Sequence, residues 1–478
     1  MKAIAHEYEK ALAWIKGKSE QFVEELGNLV SYNSISEYEE GVLLPFGGAC
    51  ADALNCALKY AADKGLETEN HEYYIGSVIL KGNGGSQNEI GMIGHLDVVP
   101  DGEGWKYEPY KMTVEGDLLV GRGVSDDKGP TLAGIYAMYY LVENGYTLNH
   151  DIRCLLGCNE EAGMQDVKYY NSHFTPPAFV FSPDCNFPVC NSEKGMMIWD
   201  MTAEIAESNL RDFHSGIAHN VVPNKATAVL EEITLQQAKK ALYAIGSDVE
   251  ARPWGGYGNM VEFEAIGIGA HAAMPENSLN AAWKLADALL KSGLADDKAS
   301  RTLRFIYDHF SDFYGQPFGI DCEDEASGKL THIGGMTWVE DGKLTQNMNI
   351  RYPMSADTKV LSESIEAECG KYGFSAKMTV MNEGLFIPAD APEIECLQKV
   401  CRETIGIEAP PYSMGGGTYS RKFPRAVGFG PFMPGGESPF GPERGGAHQP
   451  DECQSLDMLL KAAAVYAVAL ISLDEIVD

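Results

Sequence analysis

The chain has 478 residues, more than the roughly 250–300 at which a single hydrophobic core stops growing, so at least two domains are expected. Its formal net charge of −32, from 69 acidic against 37 basic residues, argues against a nucleic-acid partner, because neutralising phosphates takes clustered Lys and Arg. No window approaches the roughly 20 apolar residues of a membrane span, residues 1–9 lack the apolar core of a signal peptide, and the 11 cysteines are scattered without a Cys-x-x-Cys pair. A reduced, cytoplasmic protein with no membrane partner is therefore expected.

In chain order, Leu12, Ile15, Phe22, Leu26 and Val30 recur at helical spacing and predict an amphipathic helix over residues 6–30. A second helix is expected over 47–64, ended by Gly65, followed by strands at 74–80 and 89–99. A helix over 131–144, closed by Gly145, leads to strands at 152–158 and 178–182. This βαβ-like series implies an α/β domain with a largely parallel sheet. After Asn191 the pattern changes, and 196–207 reads as a strand of another kind, expected to precede a helix. Two similar stretches follow, Ala218-His219-Asn220-Val221-Val222-Pro223 and Ala270-His271-Ala272-Ala273-Met274-Pro275. Each is expected to follow a strand and to lead into an apolar helix, at 227–232 and 280–290, the second stopped by Gly293. From Gly384 the first pattern resumes with a helix at 393–403, the run Gly415-Gly416-Gly417-Thr418, a loop over 428–446 rich in Gly and Pro, and a last helix over 455–473. One discontinuous domain, 1–191 with 384–478, is thus expected to carry an inserted α+β domain, 192–383, built from two related units.

Candidate chemistry gathers where the apolar runs end. The buried-strand pattern from Glu89 closes on His95-Leu96-Asp97, whose alternate side chains share a face. A carboxylate behind an imidazole fixes its tautomer and makes it a better metal ligand. Asp126-Asp127 precede an apolar helix, Glu160-Glu161 and Asp184 end two further strands, and His448 sits in a Gly/Pro-rich loop ahead of Asp451-Glu452. Two histidines with several carboxylates suit hard and borderline divalent ions; the lesser rival for any one carboxylate taken alone is a helix cap or a surface ion pair.

Together these segments resemble those of the di-zinc exopeptidase family that includes aminoacylase, carnosinase and bacterial dipeptidases of the PepV type. The likeness covers nearly the whole chain in order, with the length of the PepV-type members. It implies two zinc ions, with manganese or cobalt as alternatives, held by His95, Asp126, Glu161, Asp184 and His448. Asp126 would bridge, His95 and Asp184 would complete one ion, and Glu161 and His448 the other; Asp127 would turn towards its neighbours. Glu160 is expected to be the general base and Asp97 to support His95. Relatives commonly have Asp where this chain has Asn159.

The resemblance further gives Asn220 and His271 the task of holding substrate and stabilising the oxyanion, and Arg351, Gly416, Gly417 and Thr418 that of binding its carboxylate. The inserted domain of such relatives acts as a lid; His214 competes with His271 for its oxyanion role, and His219 is expected to be structural. The implied activity is hydrolysis of dipeptides, with N-acyl-amino-acid or succinyl-diaminopimelate hydrolysis as the alternative and a non-catalytic metal-binding scaffold as the remote one. A small peptide is the expected partner. A single chain is expected to suffice, with a dimer as the alternative.

Overall fold

The computed structural model describes residues 4–86, 88–256, 258–436, 438–441 and 444–477. The chain forms two compact units, one running through Asn191 with Ile387–Tyr412 and Gly417 onward, the other comprising Ser192–Phe386 with Ser413–Gly416.

The sheet of the first unit runs in the order Glu67–His71, Ile75–Leu80, Asp151–Gly157, Glu89–His95, Phe179–Ser182, Ala426–Gly428. The last four strands are parallel, and the first two join antiparallel, so the sheet is mixed with a parallel centre. Glu89–His95 lies in that centre and is buried almost throughout, as its charge-free interior requires. Gly94 shapes the site. A Cβ there would collide with Thr131 Oγ1 and lie 2.6 Å from Asp127 Oδ2, so the missing side chain lets the start of the next helix close onto the strand.

That helix, Lys128–Glu143, is buried on nearly all sides. It packs against the C-terminal helix Leu456–Leu473. By length and composition alone the latter could cross a membrane, with mean hydropathy 1.8, which corrects the sequence reading above. Leu459, Val465, Tyr466 and Leu470 lie instead inside the core of the unit. The opening helix is two helices, Ile4–Lys16 and Ser19–Val30, broken next to Gly17, a residue costly in a helix interior.

The second unit is an eight-stranded antiparallel sheet in the order Glu250–Pro253, Met260–Ile266, Lys225–Glu231, Leu210–Ser215, Thr331–Glu340, Lys343–Tyr352, Gly195–Glu204, Ser375–Asn382. Helices Leu235–Ala244, Ala281–Ser292, Asp297–His309 and Thr358–Lys371 contribute to its apolar core. Their N-termini are set by Thr234, Asn280, Asp296 and Asp357, whose side chains accept from free backbone N–H groups, and Gly293 ends Ala281–Ser292 in the left-handed conformation. Two expectations fail here. The segment expected as a helix at 227–232 lies in the strand Lys225–Glu231, hydrogen-bonded on both sides, and Gly195–Glu204 is followed by the strand Leu210–Ser215 rather than a helix. The two similar stretches pair with each other. Val222 N–H donates to Ala270 O and Ala272 N–H to Asn220 O, both at 2.8 Å, around a bridge between Val221 and His271.

Candidate metal centre and active site

In the first unit, strand ends and loop turns bring His95, Asp126 and Asp184 into one group of potential ligand atoms, and Asp126, Glu161 and His448 into a second. Asp126 belongs to both. Its Oδ1 lies 3.0 Å from His95 Nε2 and its Oδ2 2.9 Å from His448 Nε2, while His448 Nε2 is also 2.8 Å from Glu161 Oε1. The Asp126–Asp127 peptide is cis. Asp127 faces away from the histidines' ring nitrogens, its Oδ2 accepting from His95 N–H at 3.1 Å and from Thr131 Oγ1 at 2.9 Å.

Asp97 supports three members of the group at once. Its backbone carbonyl is 3.0 Å from His95 Nδ1, closer than its carboxylate at 3.5 Å, so the tautomer is set mainly by main chain. The carboxylate instead accepts the N–H groups of Glu160 and Glu161, both at 3.1 Å. That fixes the turn on which the two glutamates diverge. Asn159 stays within the scaffold, donating to Ser36 Oγ at 2.7 Å and accepting from Gln165 N–H.

Electrostatically the group is short of positive charge. Burial pushes Glu160, Glu161 and Asp184 above the ordinary carboxyl range, and neighbouring carboxylates, Asp126 in each case, add to this. Burial opposes a charge on the histidines, yet their bonds to Asp126, Asp97 and Glu161 raise His95 well above its usual value and His448 to about 11. Desolvation raises Asp126 as well, but the two imidazoles outweigh it and hold this carboxyl low. Four carboxylates facing two imidazoles in a desolvated site fit a pair of divalent cations, since buried charge of one sign needs compensation.

The sequence reading gave no role to a second layer of buried charge. Arg122 Nη1 meets Glu452 Oε2 at 2.6 Å with both side chains buried, and Glu452 Oε1 accepts from the N–H groups of Gly123, Ser125 and Asp126 at 2.9–3.0 Å. Glu452 therefore shapes the loop carrying Asp126. Desolvation raises its pKa to about 7, against the pull of Arg122. Asp451 accepts from Lys106 and Tyr107 N–H groups and pairs with Arg444, pinning the turn where His448 takes a left-handed backbone, φ +64°. Asp166, buried, accepts from Cys158 and Asn159 N–H groups and from the Tyr419 hydroxyl.

Thr418 caps the short turn Tyr419–Lys422, accepting from Ser420 N–H, and Gly417 is covered by the Arg421 guanidinium. Both have roles within the fold. In the second unit, His271 Nδ1 accepts from Ala273 N–H at 3.2 Å, which leaves the ring proton on Nε2 as a donor. Asn220 is tied to the same loop through its carbonyl. Arg351 Nε donates to Asn349 Oδ1 at 3.0 Å and Nη1 to Gly415 O at 3.1 Å. His214 is an exposed residue of strand Leu210–Ser215.

Residues 91–472 match the model of "Peptidase family M20/M25/M40". The chain is 33% identical over 473 residues to YtjP of Bacillus subtilis (strain 168), covering 95% of this chain and 98% of that protein. It is 31% identical over 475 residues to the beta-Ala-Xaa dipeptidase of Lactobacillus delbrueckii subsp. lactis, covering 96% and 97%. Among solved structures it resembles human carnosine dipeptidase 1 in fold, with a TM-score of 0.55 at 16% identity over 98% of this chain and 100% of the other. The chain belongs to peptidase family M20/M25/M40 and is a hydrolytic peptidase.

Proposed function

We propose that the chain is a metal-dependent dipeptidase that releases the N-terminal residue of dipeptides. The observation that carries this reading is the placement of Asp126 between two ligand groups, next to a Glu160 whose carboxylate has no hydrogen-bond partner among the described residues. The relative bearing the name beta-Ala-Xaa dipeptidase supports the substrate class. His95, Asp126 and Asp184 would hold one ion and Asp126, Glu161 and His448 the other, three protein ligands each, as catalytic zinc requires. Zinc is the first choice, with manganese and cobalt as alternatives. Bound there, the ions would supply Lewis-acid polarisation of the scissile carbonyl and of a water.

Glu160 takes the proton from the attacking water and delivers it to the departing amine. Its elevated pKa, caused first by burial, suits a group that must hold that proton between the two steps. His271 donates from Nε2 to the developing oxyanion, Asn220 holds the substrate, and Arg351 faces its carboxylate with the backbone of Gly416, Gly417 and Thr418. The active form is one chain working in the cytoplasm.

Metal analysis of the purified enzyme together with hydrolysis of dipeptides, N-acyl amino acids and succinyl-diaminopimelate tests the reading. Two ions per chain and a preference for dipeptides are expected. Preference for either of the other two substrate classes would replace the dipeptidase assignment, and a metal-binding protein with no hydrolysis would overturn catalysis altogether.

A further inference from the structure

We propose that His219, beside Asn220 in a loop of the second unit, is a second donor to the substrate carboxylate that Arg351 receives. This rests on the proposed activity, because it concerns the same substrate.

A closed path of contacts within the second unit joins the two residues. Arg351 lies opposite Thr331 in the antiparallel pair Thr331–Glu340 and Lys343–Tyr352. Thr331 Oγ1 donates to Ala272 O at 3.0 Å, and Ala272 N–H donates to Asn220 O at 2.8 Å. From the other side, the Arg351 guanidinium donates to Gly415 O, and Gly415 packs so closely on Ala273 that a side chain at 415 would meet it. The backbone of His219 rests on Gly335, where a Cβ would come 2.5 Å from His219 O. The loop carrying His219 is therefore anchored to the strands beside Arg351 at several points, so its position is set by main-chain contacts rather than by its own ring.

The ring itself is not consumed by the fold. His219 is half-buried and its nitrogens take part in no hydrogen bond or ion pair among the described residues. A structural histidine normally satisfies at least one ring nitrogen. Burial, and then the positive charge of Arg351, lower its pKa, so at neutral pH it is an uncharged imidazole. A neutral imidazole beside a guanidinium adds an N–H donor without adding repulsion between two cations. The ligand that satisfies both is an anion with two acceptor oxygens, and a carboxylate flanked by an amide fits.

The test uses the metal-loaded enzyme, with a dipeptide that the wild type cleaves and the same dipeptide as its C-terminal carboxamide. His219→Ala is expected to raise KM for the dipeptide about tenfold, the effect of one hydrogen bond to a charged group, with kcat changed less than about twofold and no change for the carboxamide. His219→Gln, which keeps an N–H donor, is expected to recover part of the loss. An unchanged KM, or equal increases for dipeptide and carboxamide, overturns the inference and leaves the dipeptidase reading standing. If the wild type cleaves no dipeptide, that reading fails by itself. The same variants are then compared on an N-acyl amino acid and its carboxamide, with the same two outcomes deciding for or against His219.

Discussion

Arg122 and Glu452 form an ion pair 2.6 Å long, with 1% and 0% of their side chains exposed. Since the second oxygen of Glu452 collects three N–H groups of the Asp126 loop, losing Arg122 strands a buried carboxylate and loosens a candidate ligand. Arg122→Met is expected to lower stability by about 3–5 kcal/mol and to reduce bound metal. Arg122→Met with Glu452→Gln should cost less than Arg122→Met alone, because no uncompensated charge remains. Urea unfolding and metal analysis of the three proteins check this; a single variant as stable and as metal-loaded as wild type would refute it.

Glu160→Gln keeps the shape of the side chain and removes its capacity to take a proton. Metal content should stay at the wild-type level, while kcat drops by roughly 10²–10⁴-fold. Loss of metal in parallel with activity would make Glu160 a ligand instead of the base.

Asp126 and Asp184 should differ in what they hold. Asp126 takes part in both ligand groups and Asp184 in one. Asp126→Ala is therefore expected to abolish binding of both ions, whereas Asp184→Ala retains one. Titration of the metal-free proteins followed by calorimetry distinguishes the cases, and equal stoichiometry in the two variants would contradict a shared carboxylate.

Asp312 offers a pH test away from the candidate centre. Its Oδ2 accepts N–H groups of Tyr314, Gly315 and Gln316 at 2.6–3.1 Å and faces His332 Nε2 at 3.6 Å. The imidazole first, then the N–H groups, press its pKa down to about 2 from the ordinary 3.8. The folded state thus releases this proton more readily than the unfolded one. The stabilisation is complete above about 3.8 and is lost as pH falls towards about 2. Asp312→Asn should show a deficit in urea midpoint at about pH 4.5 that shrinks as pH falls towards about 2. A deficit as large at about pH 2 as at about pH 4.5 would refute this linkage.

Several parts of the site stand out in the sequence because a charged residue closing an apolar run is conspicuous. His95, Glu161 and Asp184 each end such a run, and Asp126 and His448 sit in Gly-rich loops. The Arg122–Glu452 pair does not stand out: its members are 330 positions apart, and charged residues belong on the surface unless a partner is known. Segment 227–232 was also illegible. A short run of Ala, Val and Leu has no period that separates helix from buried strand, and only the neighbours on both sides make it a strand. The helix Thr358–Lys371 spreads polar residues around its circumference and buries only Leu361, Ile365 and Cys369, which weakens the apolar stripe that sequence reading depends on.

The position of His448 has a consequence for how the enzyme comes into being on the ribosome. His95, Asp126 and Asp184 all emerge within the first 184 residues, whereas Glu161 must wait for His448, over two hundred residues later. At the roughly 5–20 residues per second of synthesis, about ten seconds or more pass between the making of Asp184 and that of His448, and the loop of Asp126 waits as long for Glu452. Neither ligand group would therefore be fully held before residues 448–452 are made. Cleavage of peptides would be withheld until that segment has been made.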